Sequence, residues 1–164
     1  MAYYAIFDTG NGWIALVERD GKLVRSILPA QTREQALARA GLGAGCVEDH
    51  SAFGDLPDRL SRYFAGDRVD FSDVEIDVSE QPPFLAAAQL AARTIPYGEV
   101  VTYRDLARMA GNARAARAAG SAMARNEMPI IVPCHRVIAS NGLGGFGPGL
   151  EWKRKLLRIE GVDV

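Results

Sequence analysis

Two adjacent prolines, Pro82 and Pro83, separate two halves of this chain that carry different apolar patterns. A proline ring fixes φ and removes an amide donor, so neither a strand nor a helix interior runs through the pair. Before it, apolar residues come in short runs broken by turn dipeptides. After it, they come in alanine-rich stretches with helical spacing. The sequence therefore reads as an α+β chain of two parts, a β-rich α/β region over 1–80 and a mostly helical region over 81–164. Its 164 residues suffice for one moderate domain or two small ones sharing a core.

The first part opens with apolar runs at 3–8, 12–18 and 22–29. They are separated by Thr9-Gly10-Asn11-Gly12 and Arg19-Asp20-Gly21, both hairpin signals. A helix is expected over 32–40, with Thr32 as N-cap and Gly41 as its stop. Residues 41–54 are glycine-rich and read as irregular, a second helix fits 57–65, and alternation over 69–78 suggests an imperfect strand.

Charge is divided unevenly. Residues 1–90 carry a net −6 and residues 91–164 a net +5. A basic second half suits a polyanionic partner. No apolar run is long enough for a membrane-spanning helix, so no membrane partner is expected. The start, MAYYAIFDTG, lacks the charged and apolar regions of a signal peptide, so a cytoplasmic protein is expected.

In the second part, helices are expected over 84–94, 103–110 (capped by Thr102), 113–125 and 152–159. The middle two, joined by Gly111-Asn112, form a helix-turn-helix pattern. The second of them carries Arg114, Arg117 and Arg125 and no acid, and is otherwise mostly alanine, glycine and serine. Such small residues suit either tight packing on a neighbouring helix or close approach to a DNA groove. Prolines on either side of Ile130-Ile131-Val132 suggest an extended stretch leading into Cys134-His135-Arg136. Residues 141–149 form a glycine-rich loop.

Cys134 is the candidate nucleophile. Thiols are mostly protonated at neutral pH, and only the thiolate attacks. A base must take the proton, and His135 can do so if a water bridges the two and Glu160 orients the ring. Cys46 and His50 lie four apart, but two ligands do not make a metal site and the glycine-rich context argues against a helix there. No metal and no cofactor are expected.

Pro133-Cys134-His135-Arg136-Val137 resembles the PCHRV signature of the O6-alkylguanine-DNA alkyltransferases, the methylated-DNA–protein-cysteine methyltransferases. The resemblance extends from residue 84 to 162. Ile95-Pro96-Tyr97-Gly98-Glu99-Val100-Val101-Thr102-Tyr103, Ala110-Gly111-Asn112 with Ala115-Ala116-Arg117-Ala118, and Asn126 with Pro129 resemble further family motifs. So do Gly145, Gly149 and Leu150, Lys155-Leu156-Leu157, and Glu160-Gly161 in the tail. The resemblance implies a ribonuclease H-like N-terminal domain and repair of O6-alkylguanine, possibly also O4-alkylthymine, in double-stranded DNA. The alkyl group would pass to Cys134 in one self-inactivating event, with the protein acting as a monomer.

It also implies roles for single residues. Cys134, His135 and Glu160 would perform the transfer, Asn126 would pin the turn before the cysteine, and Tyr103 would donate to the flipped guanine. Arg117 would fill the gap left in the duplex. Ala115, Ala116, Gly120, Arg125 and Arg136 would lie on the DNA face, and Met123, Val137, Phe146 and Gly147 would wall the pocket. The chain departs from the family pattern at Phe146, where tyrosine is usual, at Gln89 (usually tryptophan) and at Glu127 (usually proline). The loop before Phe146 is also one residue short.

Two other readings compete. A non-catalytic alkyltransferase-like damage binder would carry another residue at the cysteine position. A cysteine hydrolase or redox protein would leave the helix-turn-helix pattern and Arg117 unexplained.

Overall fold

The structure, a computed structural model describing residues 1–164, divides into two compact units, Met1–Asp77 and Val78–Val164. It is a mixed α+β arrangement with six α-helices and two small sheets.

In the first unit, β1 (Ala2–Asp8) and β2 (Trp13–Arg19) form an antiparallel hairpin, and β3 (Lys22–Ser26) pairs antiparallel with β2. The turns are those the sequence signals. Asp20 and Gly21 both adopt positive φ, 52° and 82°, as a two-residue hairpin turn demands, and the Glu18 carboxylate accepts from the Gly21 amide at 2.7 Å. Helix α1 (Arg33–Ala40) starts at Thr32, whose side chain accepts from the Gln35 amide, and ends at Gly41 in the left-handed region. Its Ala36 and Ala40 pack with Ile6, Ala15, Val17, Ile27 and Ala30 in one apolar cluster.

Two expectations for this unit fail. The segment 41–54 is not wholly irregular, because β4 (Val47–Glu48) adds to β1 in parallel, giving the order β3-β2-β1-β4, and His50–Phe53 forms a 3₁₀ turn. Residues 69–78 do not form a strand. Only Ile76 bridges, to Leu23, while the Asp70 carboxylate draws in the amide and hydroxyl of Ser72, and Arg59 binds the Asp70 carbonyl and the Asp73 carboxylate. These side-chain bonds compete with a ladder and win, although Val69 and Phe71 are buried as the alternation requires. Helix α2 (Leu56–Phe64) precedes that segment and buries Leu56, Leu60, Tyr63 and Phe64.

The second unit begins with α3 (Pro83–Ala92), which places a proline in its first turn where no donor is missed. Next come β5 (Val101–Thr102), α4 (Tyr103–Met109) and α5 (Ala116–Ala124). Thr102 and Asp105 close a capping box, each side chain accepting from the other's amide at 3.1 Å. Helix α5 starts later than expected, at Ala116. Asn112 accepts from the Arg114 amide and keeps that arginine in the connecting turn. The small residues of α5 pack on one face of the helix. Ala119 and Ala122 are fully buried and packed, whereas Arg117, Ala118 and Ser121 face outward.

The stretch 129–133 is not extended. The Val132 amide bonds back to the Met128 carbonyl at 2.8 Å, and Ile130 takes φ 74°, a costly conformation for a β-branched residue. A 3₁₀ turn, Cys134–Arg136, follows, then β6 (Val137–Ile138), which pairs in parallel with β5, and finally α6 (Leu150–Ile159). No helix is long and apolar enough to cross a membrane.

Candidate active site

The β5–β6 pairing brings the site together. Val101 faces Val137 and Thr102 faces Ile138, so Tyr103, first residue of α4, is set beside the turn that carries Cys134. Tyr103, Gly120, Met123, Ala124, Cys134, Gly145, Phe146 and Gly147 line a pocket of about 200 Å³. Cys134 is 6 % exposed and lies within that lining.

Asn126 organises the strained turn ahead of the cysteine. Its side-chain oxygen accepts from the Met128 amide at 3.0 Å, and its Nδ2 donates to the Val132 carbonyl at 2.9 Å and to the Cys134 sulfur at 3.1 Å. One amide therefore both closes the loop and points a donor at the sulfur. Burial pushes the thiol above its ordinary range; the Asn126 amide, the Lys153 charge and the amides of Cys134 and His135 pull the other way without prevailing. The resting cysteine is thus a thiol, and a base is needed when it reacts.

His135 is fully buried, and its Nε2 lies 2.5 Å from Glu160 Oε2. Burial holds the ring's basicity below the ordinary value, against the pull of Glu160, so it is neutral at pH 7. A carboxylate can only accept, so Nε2 carries the hydrogen and Nδ1 is the nitrogen left to take a proton. Glu160 also accepts from Arg136 Nε at 2.8 Å and Nη2 at 3.2 Å, and from the Gly98 amide at 3.1 Å. Burial alone would raise its pKa. The hydrogen bonds from His135 and Arg136, with the Arg136 charge, outweigh that and hold it at about 2. Gly98, at φ 81°, admits this approach, since a β-carbon there would meet the Glu160 carbonyl at 3.2 Å.

Tyr103, Gly120, Met123, Cys134, Phe146 and Gly147 line this pocket, with Asn126, His135 and Glu160 behind it, while two residues lie where they were not expected. Arg136, expected on the DNA face, is buried and turned inward, donating to Glu160 and, through Nη1, to the Ile95 carbonyl at 2.7 Å. Val137 is fully buried behind the turn and does not line the pocket. Arg117 and Arg125 are exposed on and just after α5, and Ala115 and Ala116 are half-buried at its start. Gly120 lies against the Tyr103 ring, which a β-carbon would meet at 3.9 Å. Cys46 packs on the apolar cluster of the first unit, and His50 contacts Glu48 at 3.4 Å. No group of three or more His, Cys, Asp or Glu could hold a metal ion.

Lys153 is the residue the sequence reading passed over. The tail lysine was placed at Lys155, which lies over the Trp152 ring at 4.8 Å. Lys153 is the fully buried one, and its Nζ donates to the carbonyls of Val137 at 2.7 Å and Gly145 at 3.0 Å. A signal was present, because Lys153 precedes the buried Leu156 and Leu157 by three and four residues and so shares their stripe.

A pocket floored by a buried thiol, with a neutral histidine held by a carboxylate beside it, defines a cysteine-centred group-transfer site. The model of the 6-O-methylguanine DNA methyltransferase DNA-binding domain matches residues 83–162. A methylated-DNA–protein-cysteine methyltransferase of Methanopyrus kandleri is 46 % identical over 74 % of this chain and 91 % of its own. Its counterpart in Metallosphaera sedula is 37 % identical over 98 % and 94 %. Mycobacterium tuberculosis OGT in complex with DNA has a TM-score of 0.79 to this structure, at 34 % identity over 97 % of this chain and 93 % of that one. The chain belongs to the methylated-DNA–protein-cysteine methyltransferase family.

Proposed function

We propose that this chain repairs DNA directly, moving the alkyl group of O6-alkylguanine onto Cys134 once per molecule and acting as a monomer. The observation that carries this is a buried cysteine lining a pocket, its sulfur met by the Asn126 amide, with the adjacent His135 held by Glu160. In the transfer the thiol proton passes through a water to His135 Nδ1, the sulfur attacks the alkyl carbon, and the carbon–oxygen bond breaks. Glu160 stabilises the imidazolium as it forms. Tyr103 passes its hydroxyl proton to the departing guanine, which leaves neutral, and the proton held by His135 returns to the tyrosinate through water. The thioether formed on Cys134 is stable and nothing in the site would cleave it, so each molecule acts once.

A base stacked in a duplex hides its alkyl carbon, so the nucleotide must be extruded. Helices α4 and α5 act as a helix-turn-helix that lays α5 against the groove, and exposed Arg117 fills the vacated stack. The hairpin-led first unit is read as a ribonuclease H-like domain.

The test is Cys134→Ser. This variant binds an oligonucleotide carrying O6-methylguanine as tightly as the wild type, measured by fluorescence anisotropy, and removes no methyl group. Continued methyl loss would place the nucleophile elsewhere.

A further inference from the structure

The first unit holds a cavity of its own, of about 150 Å³, between the β2–β3 hairpin, the 3₁₀ turn at His50–Phe53 and the start of α2. Its walls are largely apolar, with Leu23, Phe53 and Leu56 all buried, and Glu18 is set among them. The ladder between β2 and β3 slips at Val17 and Glu18, the kind of irregularity that re-aims a strand side chain. Glu18 is 6 % exposed, and its carboxylate has one hydrogen bond, from the Gly21 amide to Oε2 at 2.7 Å. One neutral donor leaves most of a carboxylate's acceptor capacity unused, and a charge withdrawn from water calls for a cation. The one cation on the cavity wall is engaged elsewhere. Arg59 Nη1 donates to the Asp73 carboxylate at 2.7 Å and the Asp70 carbonyl at 3.0 Å, and its Nε lies 3.2 Å from the Asp55 carboxylate. Glu75 adds a second acid to the wall, and Asp55 and Asp58 offset the positive end of α2.

We propose that this cavity binds a small aliphatic amine, its ammonium group donating to Glu18 and its carbon chain lying against Leu23, Phe53 and Leu56. An ammonium brings three donors and a positive charge. It matches both the open acceptor on Glu18 and the charge that no side chain of the wall balances. A cavity of this size admits a benzene-sized group in other proteins, so a four-carbon chain fits. An anion would meet two carboxylates and no free cation. A neutral alcohol would gain the apolar walls but leave the Glu18 charge unmatched. The same ammonium is offered by a free amine and by a lysine side chain of another protein. All of these residues lie within Met1–Asp77, so amine binding does not depend on the chemistry at Cys134.

The experiment titrates the full chain, labelled with nitrogen-15, with n-butylammonium chloride at constant ionic strength and follows the backbone amide resonances. Glu18→Gln keeps the side-chain volume and an oxygen for the Gly21 amide while removing the charge. 1-Butanol is the neutral counterpart of the ligand. The expected result is a saturable shift at Gly21, Leu23 and Phe53 in the wild type. Affinity should fall by roughly 10-fold or more in the variant, and likewise for 1-butanol on the wild type. Nα-acetyl-lysine N-methylamide, titrated in the same way, separates the two sources. Binding as tight as that of butylammonium assigns the site to a lysine side chain, and binding of butylammonium alone assigns it to free amines. If circular dichroism shows that the variant does not fold, butylammonium against 1-butanol on the wild type decides. Equal affinity in wild type and variant, equal affinity for the amine and the alcohol, or shifts that spread over the acidic surface without saturating overturn the proposal.

Discussion

Replacing Glu160 with glutamine should damage stability and catalysis together, and the structure sets the size of both effects. The two carboxylate oxygens accept four donors, from Gly98, His135 and both Nε and Nη2 of Arg136. A glutamine offers one oxygen, and its NH₂ must face donors on the other side. Arg136 is 7 % exposed, so its charge would be left buried and poorly matched. Removing one partner of a buried pair costs about 3 kcal/mol or slightly more. The proton linkage gives a similar figure. Glu160 falls from 4.5 to about 2 on folding, and that difference is worth about 3 kcal/mol. Its sign follows from proton counts. Between those two values the unfolded chain binds the proton and the folded chain does not, so the stability is complete above 4.5 and is lost as pH falls toward 2.

The catalytic effect is separate. Without the carboxylate, His135 loses the partner that fixes its hydrogen on Nε2, and a misplaced tautomer costs on the order of 10⁴ in comparable triads. With a water between base and nucleophile, a loss of roughly 10²-fold or more is expected here. Urea unfolding at neutral pH and at about pH 3, paired with single-turnover transfer, measures both. Glu160→Gln should unfold earlier at neutral pH, show a flatter acid dependence than the wild type, and transfer slowly. Equal urea midpoints and equal rates would refute the claim that this carboxylate balances Arg136 and orients His135.

Three further outcomes are expected. Arg117→Ala should slow repair in duplex DNA more than reaction with free O6-benzylguanine, and an equal loss in both would remove Arg117 as the residue that fills the stack. Gln89 is fully buried, its Oε1 has no hydrogen-bond partner and its Nε2 reaches the Ala122 carbonyl at only 3.4 Å, so Gln89→Leu should raise stability by about 1 kcal/mol in urea unfolding. Gly120→Ala places a methyl group in ordinary contact with Tyr103 and should stabilise α5 by roughly 0.5–1 kcal/mol, while slowing reaction with O6-benzylguanine more than with O6-methylguanine, as single-turnover assays would show.

What the sequence disclosed was local. The Asp20-Gly21 turn, the Thr32 and Thr102 caps and the proline boundary each follow from backbone preferences of one or two residues. Cys134 and His135 could be singled out as neighbours in the chain, and Asn126 only through the family resemblance. The rest depends on contacts between distant segments. Strands β5 and β6 are two residues each and pair across 36 positions, too short for any periodicity to register. Arg136 reads as a surface cation until Glu160, far along the chain, is seen beside it. Lys153 and Lys155 differ only in which helix face they occupy. The alternation over 69–78 marked burial correctly at Val69 and Phe71, but aspartate and serine side chains took the backbone partners a strand would have needed.

The central claim is that Cys134 accepts an alkyl group and keeps it. The direct measurement is the mass of the Cys134 peptide after incubation with excess O6-methylguanine DNA and proteolysis. The account predicts a gain of one methyl group on that peptide, reaching one per chain and not rising further. Tight DNA binding with the peptide mass unchanged, or methyl groups lost from DNA in excess of the protein present, would contradict it.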